Sequence, residues 1–208
     1  MSPGPTFDRV YPALKEQLMS GRFAPGDHLE PAAIGRDLNS SITPVRDALH
    51  RLVGEKLVEA PRNDGFRVPS PTEAELRDLY RWSRELLEQA LRRRPSGSGA
   101  AALDPGEEDV MPGSAAWSAA DLFRHIARRS GNAELEAAVE NVSDRLAAMR
   151  VVETRLFADL AEELAGLCAL LAARDTGPLR RAIAAYHRRR QRCVPDLLVA
   201  ARRLRPSP

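Results

Sequence analysis

Apolar residues recur at helical spacing from the start of the chain. Phe7, Val10, Leu14 and Leu18 share one face of an amphipathic helix over residues 7–20, which Gly21 ends. Phe23-Ala24-Pro25-Gly26-Asp27 reads as a turn, and Pro31 suits the first turn of a short second helix through Ile34 and Leu38. Asn39-Ser40 makes the next turn. Ser41 is the expected N-cap of a third helix, with Pro44 in its first turn and an apolar seam of Val45, Leu49 and Leu52, running to about Gly54. Two helices of this size joined by a short turn make a helix-turn-helix. Leu57–Ala60 and Phe66–Val68 then read as short strands, joined through the hairpin signal Asp64-Gly65.

Beyond the linker Ser70-Pro71 the pattern is helical throughout. Thr72 and Glu75 form a capping box for a helix over residues 72–94 that carries Leu76, Leu79, Trp82, Leu86 and Leu87. Prolines and glycines from Pro95 to Gly113 break the pattern, so residues 95–115 are expected to be a flexible loop. Helices resume over 116–129, over 133–152 (Leu135, Val139, Val142, Leu146, Met149) and over 153–173 (Leu156, Leu160, Leu164, Leu167, Leu171). The last starts near Thr176 and is kinked or ended by Pro195. The fold class is mainly α. A winged helix-turn-helix over residues 1–70, three helices plus a β-hairpin wing, precedes an all-helical bundle over 71–208, and no internal repeat appears.

Composition narrows this only a little. Aromatics are 5% of the 208 residues, so the cores rest on Leu, Ala and Val, which favours helices. No apolar run approaches the roughly 18 residues of a membrane span, and no signal-peptide pattern opens the chain, so a cytoplasmic protein is expected. Cys168 and Cys193 share no metal-ligand spacing and read as reduced, buried thiols. Residues 1–70 hold nine Lys/Arg against nine Asp/Glu. Any contact of this half with nucleic acid must therefore come from a local patch rather than a general positive field.

The local patch is the start of the third helix. Ser41, Thr43 and backbone N–H groups there suit a phosphate, and Arg46, one turn in, can reach base edges. His50 follows one turn later, and Arg62 and Arg67 flank the wing tip, where phosphates or a minor groove are within reach. His28 reads as a surface residue. Residues 180–205 hold nine arginines against the single acid Asp196, which reads as a solvated helix face or, more sharply, a phosphate- or partner-binding tail. No nucleophile–base pair, phosphate loop or dense carboxylate cluster accompanies Asp121, His125 and His187, so an enzyme is not expected.

The first third resembles the GntR family of bacterial transcription regulators. The likeness runs from Leu18 through Gly21, Pro25-Gly26 and Leu29-Glu30 into Ser41-x-Thr43-Pro44-Val45-Arg46-Asp47-Ala48-Leu49, then Leu52, Leu57-Val58, Gly65-Phe66 and Val68. Leu79, Arg84-x-x-x-Glu88, Ile126-Ala127-x-x-Ser130-Gly131-Asn132-x-x-Leu135, Asp175 and His187 resemble the effector domain of its FadR-like subgroup, known as FCD. The resemblance implies a ligand-responsive repressor, a dimer on a palindromic double-stranded DNA operator, with a small carboxylate-type effector in the helical domain. By it Ser41, Thr43 and Arg46 touch DNA, and Gly65 lets the wing approach the backbone. Ile42 replaces an arginine of the family pattern and can still meet a thymine methyl. Lys56 replaces a glycine, which costs on the order of 1 kcal/mol if the left-handed conformation is kept.

Many FCD domains hold a divalent metal with one Asp and three His, the first two as D-x-x-F-H on one helix. Aligned on Ile126–Asn132, those positions fall on Ala119 and Phe123. Aligned on the spacing, they fall on Asp121 and His125, but the deletion this needs turns the helix by about 200°, which favours the first register. The second His position is Leu164 and the third His187, so no metal cofactor is expected, although Asp121, His125 and His187 leave the alternative open. Arg84 is an i,i+4 partner of Glu88, and by the resemblance its guanidinium can face an effector carboxylate, with His187 beside it. The loop at 95–115 stands where the family has a helix. The resemblance therefore implies a reduced effector domain, and the alternative reading is one that only dimerises or binds a protein partner.

Overall fold

The computed structural model describes residues 5–62, 64–92 and 118–203. Among them are nine helices: α1 (Pro5–Met19), α2 (Pro31–Asp37), α3 (Ile42–Gly54), α4 (Glu73–Arg92), α5 (Ala119–Arg128), α6 (Ala133–Leu156), α7 (Leu160–Ala172), α8 (Thr176–Arg192) and α9 (Val194–Arg203). The expected loop at 95–115 lies outside the described residues. The capping box before α4 forms as the sequence requires. The Glu75 amide donates to Thr72 Oγ1 at 3.3 Å and the Thr72 amide to Glu75 Oε2 at 2.8 Å.

The helices close two separate cores. In the first, Val10, Leu14 and Leu18 of α1 meet Val45, Leu49 and Leu52 of α3, with Ile34 of α2 and Leu57, Val58, Phe66 and Val68 completing it. In the second, α4 packs on α8, α6 and α5, and Leu87, Phe123, Ile126, Leu146 and Ile183 lie at its centre. Each core follows the 3.6-residue spacing of its sequence, because one apolar stripe per helix has to leave water, but Trp82 of the expected α4 pattern is 47% exposed and not part of the core.

Three expectations need correction. The strands at 57–60 and 66–68 do not form among the described residues; they reduce to the single bridge Glu59–Arg67, whose two hydrogen bonds are 2.8 and 2.9 Å. The next hydrogen-bonding pairs of that antiparallel register are Pro61 with Gly65 and Leu57 with Pro69. Each contains a proline without an N–H, so the ladder cannot lengthen. Arg67 also bridges to His28, which ties the segment after α1 to the same pair.

The boundary at 152/153 is also displaced. α6 continues to Leu156, which is 39% exposed rather than part of the α7 seam, and α7 starts at Leu160. The break falls where Phe157 is buried under the guanidinium groups of Arg189 and Arg190, 4.4 and 4.9 Å from its ring centroid. Finally, the arginine run at 180–205 is not wholly a solvated face. Arg190 has no exposed surface, and Arg189 binds Asp159 through two nitrogens at 2.9 and 2.6 Å. Pro195 ends α8 as expected, in that α9 begins beside it.

Candidate nucleic-acid interface and the buried ionic core

The turn between α2 and α3 is held from three sides. Asn39 takes the left-handed conformation, φ 47°, and the Ser40 amide donates to the Gly35 carbonyl at 2.8 Å. A Cβ on Gly35 would lie 2.8 Å from the Ser40 carbonyl oxygen, so only glycine fits there. From α1, Arg9 donates to the carbonyls of Leu38 and Asn39 at 2.7 and 3.1 Å, satisfying oxygens that the end of α2 leaves open. Arg22 holds Asp37 at 2.6 Å on the next turn.

This bracing presents the start of α3 to solvent. Ser41 is in extended conformation at the N-cap position, but its side chain makes no capping bond, which leaves the hydroxyl available to an outside acceptor or phosphate. Ser41, Ile42, Thr43, Arg46 and His50 are all exposed, and Ile42 is 46% exposed. Thr43, Arg46 and His50, at spacings of three and four, form one outward stripe, while Val45, Ala48, Leu49 and Leu52 are buried behind it. Arg46 has no ion pair or hydrogen bond among the described residues. The His50 ring stands edge-on to Phe66 at 5.0 Å, which links the stripe to the segment carrying Gly65. Arg62 and Gly65 are exposed, Gly65 with φ 66°. Arg67, by contrast, is held by Glu59 at 2.9 Å and Asp64 at 3.5 Å.

At its other end α3 closes in a Schellman arrangement. The Lys56 amide donates to Val53 and the Leu57 amide to Leu52, with Lys56 at φ 60° where glycine is the usual residue. The left-handed conformation is therefore kept without a glycine. The Leu52–Leu57 contact in the core supports it.

The second core contains a buried ionic cluster. Arg190 donates from Nε to Glu153 at 3.0 Å and from Nη1 to Glu163 at 2.6 Å, and its guanidinium lies 3.4 Å from the Tyr186 ring centroid. The Tyr80 hydroxyl donates to the other Glu153 oxygen at 2.7 Å. His187 is fully buried beside this pair, Nδ1 at 2.8 Å from the Ile183 carbonyl and Nε2 at 3.1 Å from Ser83 Oγ. Burial, reinforced by the charges of Arg150, Arg190 and Arg84, lowers its pKa to about 3, so the ring is neutral. The carbonyl can only accept, so Nδ1 carries the proton and the Ser83 hydroxyl donates to Nε2.

The four positions that a metal would need do not fit one. The Phe123 ring stacks on His187 at 5.5 Å, Ala119 is buried beside it, and Leu164 packs against the same core. In the other register Asp121 is a capping carboxylate, taking the Ser118 hydroxyl at 2.6 Å and Arg124 at 3.1 Å, and is exposed. His125 is half-buried on the same helix. Among the described residues no three His, Cys, Asp or Glu are grouped to hold an ion. Arg84 approaches Glu88 at 3.4 Å, yet among the described residues its buried Nε has no aligned hydrogen bond, and neither has Arg190 Nη2. Cys168 is buried and Cys193 half-buried, and both are free thiols.

Residues 6–68 match the family described as bacterial regulatory proteins, gntR family. This stretch has the GntR-type helix-turn-helix fold. Over 70 residues this chain is 34% identical to the HTH-type transcriptional repressor GlaR of Escherichia coli (strain K12), covering 34% of this chain and 32% of GlaR. Over 80 residues it is 36% identical to the HTH-type transcriptional regulator McbR of the same organism, covering 38% of this chain and 36% of McbR. The aligned stretch thus spans about a third of the length of these curated relatives. The solved structure of E. coli McbR/YncC superposes over 93% of this chain and 99% of its own, with TM-score 0.64 and 19% identity. A structure named GntR from Rhodococcus sp. RHA1 does so over 93% and 99%, with TM-score 0.70 and 17% identity. At those identities the likeness shows the fold.

Within the GntR-type head, the sequence pointed to Ser41, Ile42, Thr43, Arg46, His50, Arg62 and Gly65, and all seven are exposed. It missed Gly35 and Arg9, which position the turn, and Arg36, which is exposed and shares an open groove with Asn39, Ser40, Ser41 and Ile42. Arg36 lies six residues before Ile42, and helical spacing cannot reach across the turn between them. Among the described residues no helix is long and apolar enough to cross a membrane.

Proposed function

We propose that this protein is a DNA-binding transcriptional regulator of the FadR-like type. Two copies read a palindromic operator through α3, and a helical effector unit over residues 71–208 controls the head over residues 1–70. The observation that carries the reading is the start of α3, where exposed Ser41, Ile42, Thr43 and unpaired Arg46 stand on a helix whose other face is buried. Ser41 and Thr43 bind phosphate, Arg46 reaches a base edge, and Ile42 meets a thymine methyl. Arg62 and Gly65 act at the tip of a minimal wing, with His50 on the adjacent backbone. GlaR is named a transcriptional repressor, which favours repression here.

The experiment is selection of bound sequences from a random double-stranded DNA pool, repeated with Arg46→Ala. A palindromic motif is expected for the native chain. The variant should lose about 1–3 kcal/mol of discrimination at one base pair in each half-site while staying folded. No enriched motif for the native chain, or an unchanged one for the variant, overturns the assignment.

The effector is a small carboxylate, held between Arg84 and the Arg190 end of the cluster beside neutral His187, and the site works without a metal. The buried guanidinium nitrogens Arg84 Nε, ion-paired with Glu88 but without an aligned hydrogen bond, and Arg190 Nη2, which has no hydrogen bond among the described residues, support this, because a buried donor without a hydrogen bond favours an incoming acceptor. The alternative, a bundle that only dimerises or binds a protein partner, is favoured by the Phe123 ring stacked on His187, which covers one face of the imidazole. A thermal-shift screen of small mono- and dicarboxylates separates them, since binding raises the melting temperature. Divalent zinc, manganese or nickel should leave it unchanged.

A further inference from the structure

The head and the bundle meet through one face of α6. Asn141, Asp144 and Val151 lie three and seven residues apart, which places them on the same side of the helix. Asn141 Nδ2 donates to the Glu55 carbonyl at 2.9 Å, at the C-cap of α3. Lys15 of α1 bridges Asp144 at 2.7 Å and Glu55 at 3.2 Å. Gly21, at φ 77° where α1 ends, lies against Val151, whose two methyls would be 3.6 Å from a Cβ there.

The bridge is not a loose surface pair. Asp144 is 5% exposed in its side chain, and Lys15 and Glu55 are 23% exposed. Glu55 is held in turn by the Tyr11 hydroxyl at 2.6 Å and Arg51 Nε at 3.3 Å, and the Arg51 guanidinium sits 4.1 Å from the Tyr11 ring centroid. The last turn of the reading helix, α1 and α6 are thus clamped around one ammonium group. Partly buried, multiply bonded charges of this kind fix geometry more than they add stability.

We propose that Lys15 is the positioning residue of a rigid joint between the reading head and the bundle, and that this joint sets the half-site separation at which two copies read one operator. The inference rests on the dimeric operator reading above. Dimer contacts alone do not fix where two reading helices point, whereas a clamp on the end of α3 does. Half-sites must be presented at a separation set by the double helix, so a loosened joint changes tolerance to spacing and not the half-site read.

The test uses the 208-residue chain and its variants Asp144→Asn and Lys15→Met. Asp144→Asn alters the joint from the bundle side and leaves every residue of the head in place. The half-site selected by the native chain is rebuilt as a ladder of palindromes stepped by one base pair in separation. The native chain should favour one separation about tenfold over its neighbours. Both variants should flatten that preference to about threefold or less while selecting the same half-site sequence. An unchanged spacing profile overturns the proposal, as does a native chain that selects single half-sites.

A second arm needs no DNA. Amide exchange in residues 51–57 and 141–151 should quicken about tenfold in Asp144→Asn, as local opening becomes easier. Equal rates overturn the joint. If the native chain enriches no DNA at all, the operator reading and its spacing corollary fall together, and the exchange arm still judges the joint.

Discussion

Gly35 and Ser40 are in backbone contact, the glycine carbonyl accepting the Ser40 amide at 2.8 Å while its α-carbon faces the Ser40 carbonyl oxygen. Gly35→Ala would put a methyl 2.8 Å from that oxygen. The turn must shift, and with it the start of α3. The variant should lose about 1–3 kcal/mol by urea unfolding, as overpacked sites do, and bind operator DNA more weakly than that loss alone explains. Gly166→Ala, in α7 with nothing within 4 Å of the new methyl, is the control and should gain about 0.5–1 kcal/mol.

Lys56 holds a left-handed conformation that glycine adopts without cost. Lys56→Gly should stabilise the chain by up to about 1 kcal/mol, reduced by the greater freedom of glycine in the unfolded state. A calorimetric melting temperature that falls would mean that the lysine makes a compensating contact.

Glu153 and Arg190 are both buried, with 1% and no exposed side-chain surface. Glu153→Gln should cost about 3–5 kcal/mol, towards the lower end because Glu163 still pairs with Arg190. Replacing both, as Glu153→Leu with Arg190→Met, should recover much of it, since neither charge is then left uncompensated. A double variant as unstable as the single one would show that the pair itself stabilises the fold. Denaturant midpoints measure all three.

His187 gives the bundle an acid-sensitive element. Its folded pKa is lowered to about 3 against 6.5 for a free histidine. The unfolded chain therefore binds the extra proton first. The associated stability is fully present above pH 6.5 and is lost as pH falls from there towards 3, with a slope approaching about 1.4 kcal/mol per pH unit. His187→Gln should remove this component, so its stability should vary less than the native chain's between pH 6.5 and 5, where carboxylates contribute little. Parallel pH profiles would place the histidine outside the core.

What the sequence alone determined here is local and periodic. Seams such as Val45, Leu49 and Leu52, the Thr72–Glu75 capping box, and the Ser41–Arg46 pattern depend only on neighbours within a few residues, because helices form from i to i+4 relations. The exposure of Ile42, Thr43, Arg46 and His50 follows from the same periodicity, whereas that of Arg62 and Gly65, which lie in a turn, does not. The expected hairpin stays a single bridge for the complementary reason: Asp64-Gly65 signals a turn, but Pro61 and Pro69 remove donors at the two positions that register needs next.

Only the tertiary structure decided which charges leave water and which residues meet across the chain. Arg190 and Arg192 are neighbours in one basic run, yet the first is buried and the second exposed, because Glu153, Glu163 and Tyr186 converge on only one of them. His187 reads only as a candidate metal or effector ligand until Ser83, 104 positions away, is placed against it. Lys15 lies on α1, Glu55 at the C-cap of α3 and Asp144 on α6, and no spacing rule connects them. Periodicity says which face of a helix is dry. It does not say which partner covers that face, and long-range pairing of polar groups is set by that partner.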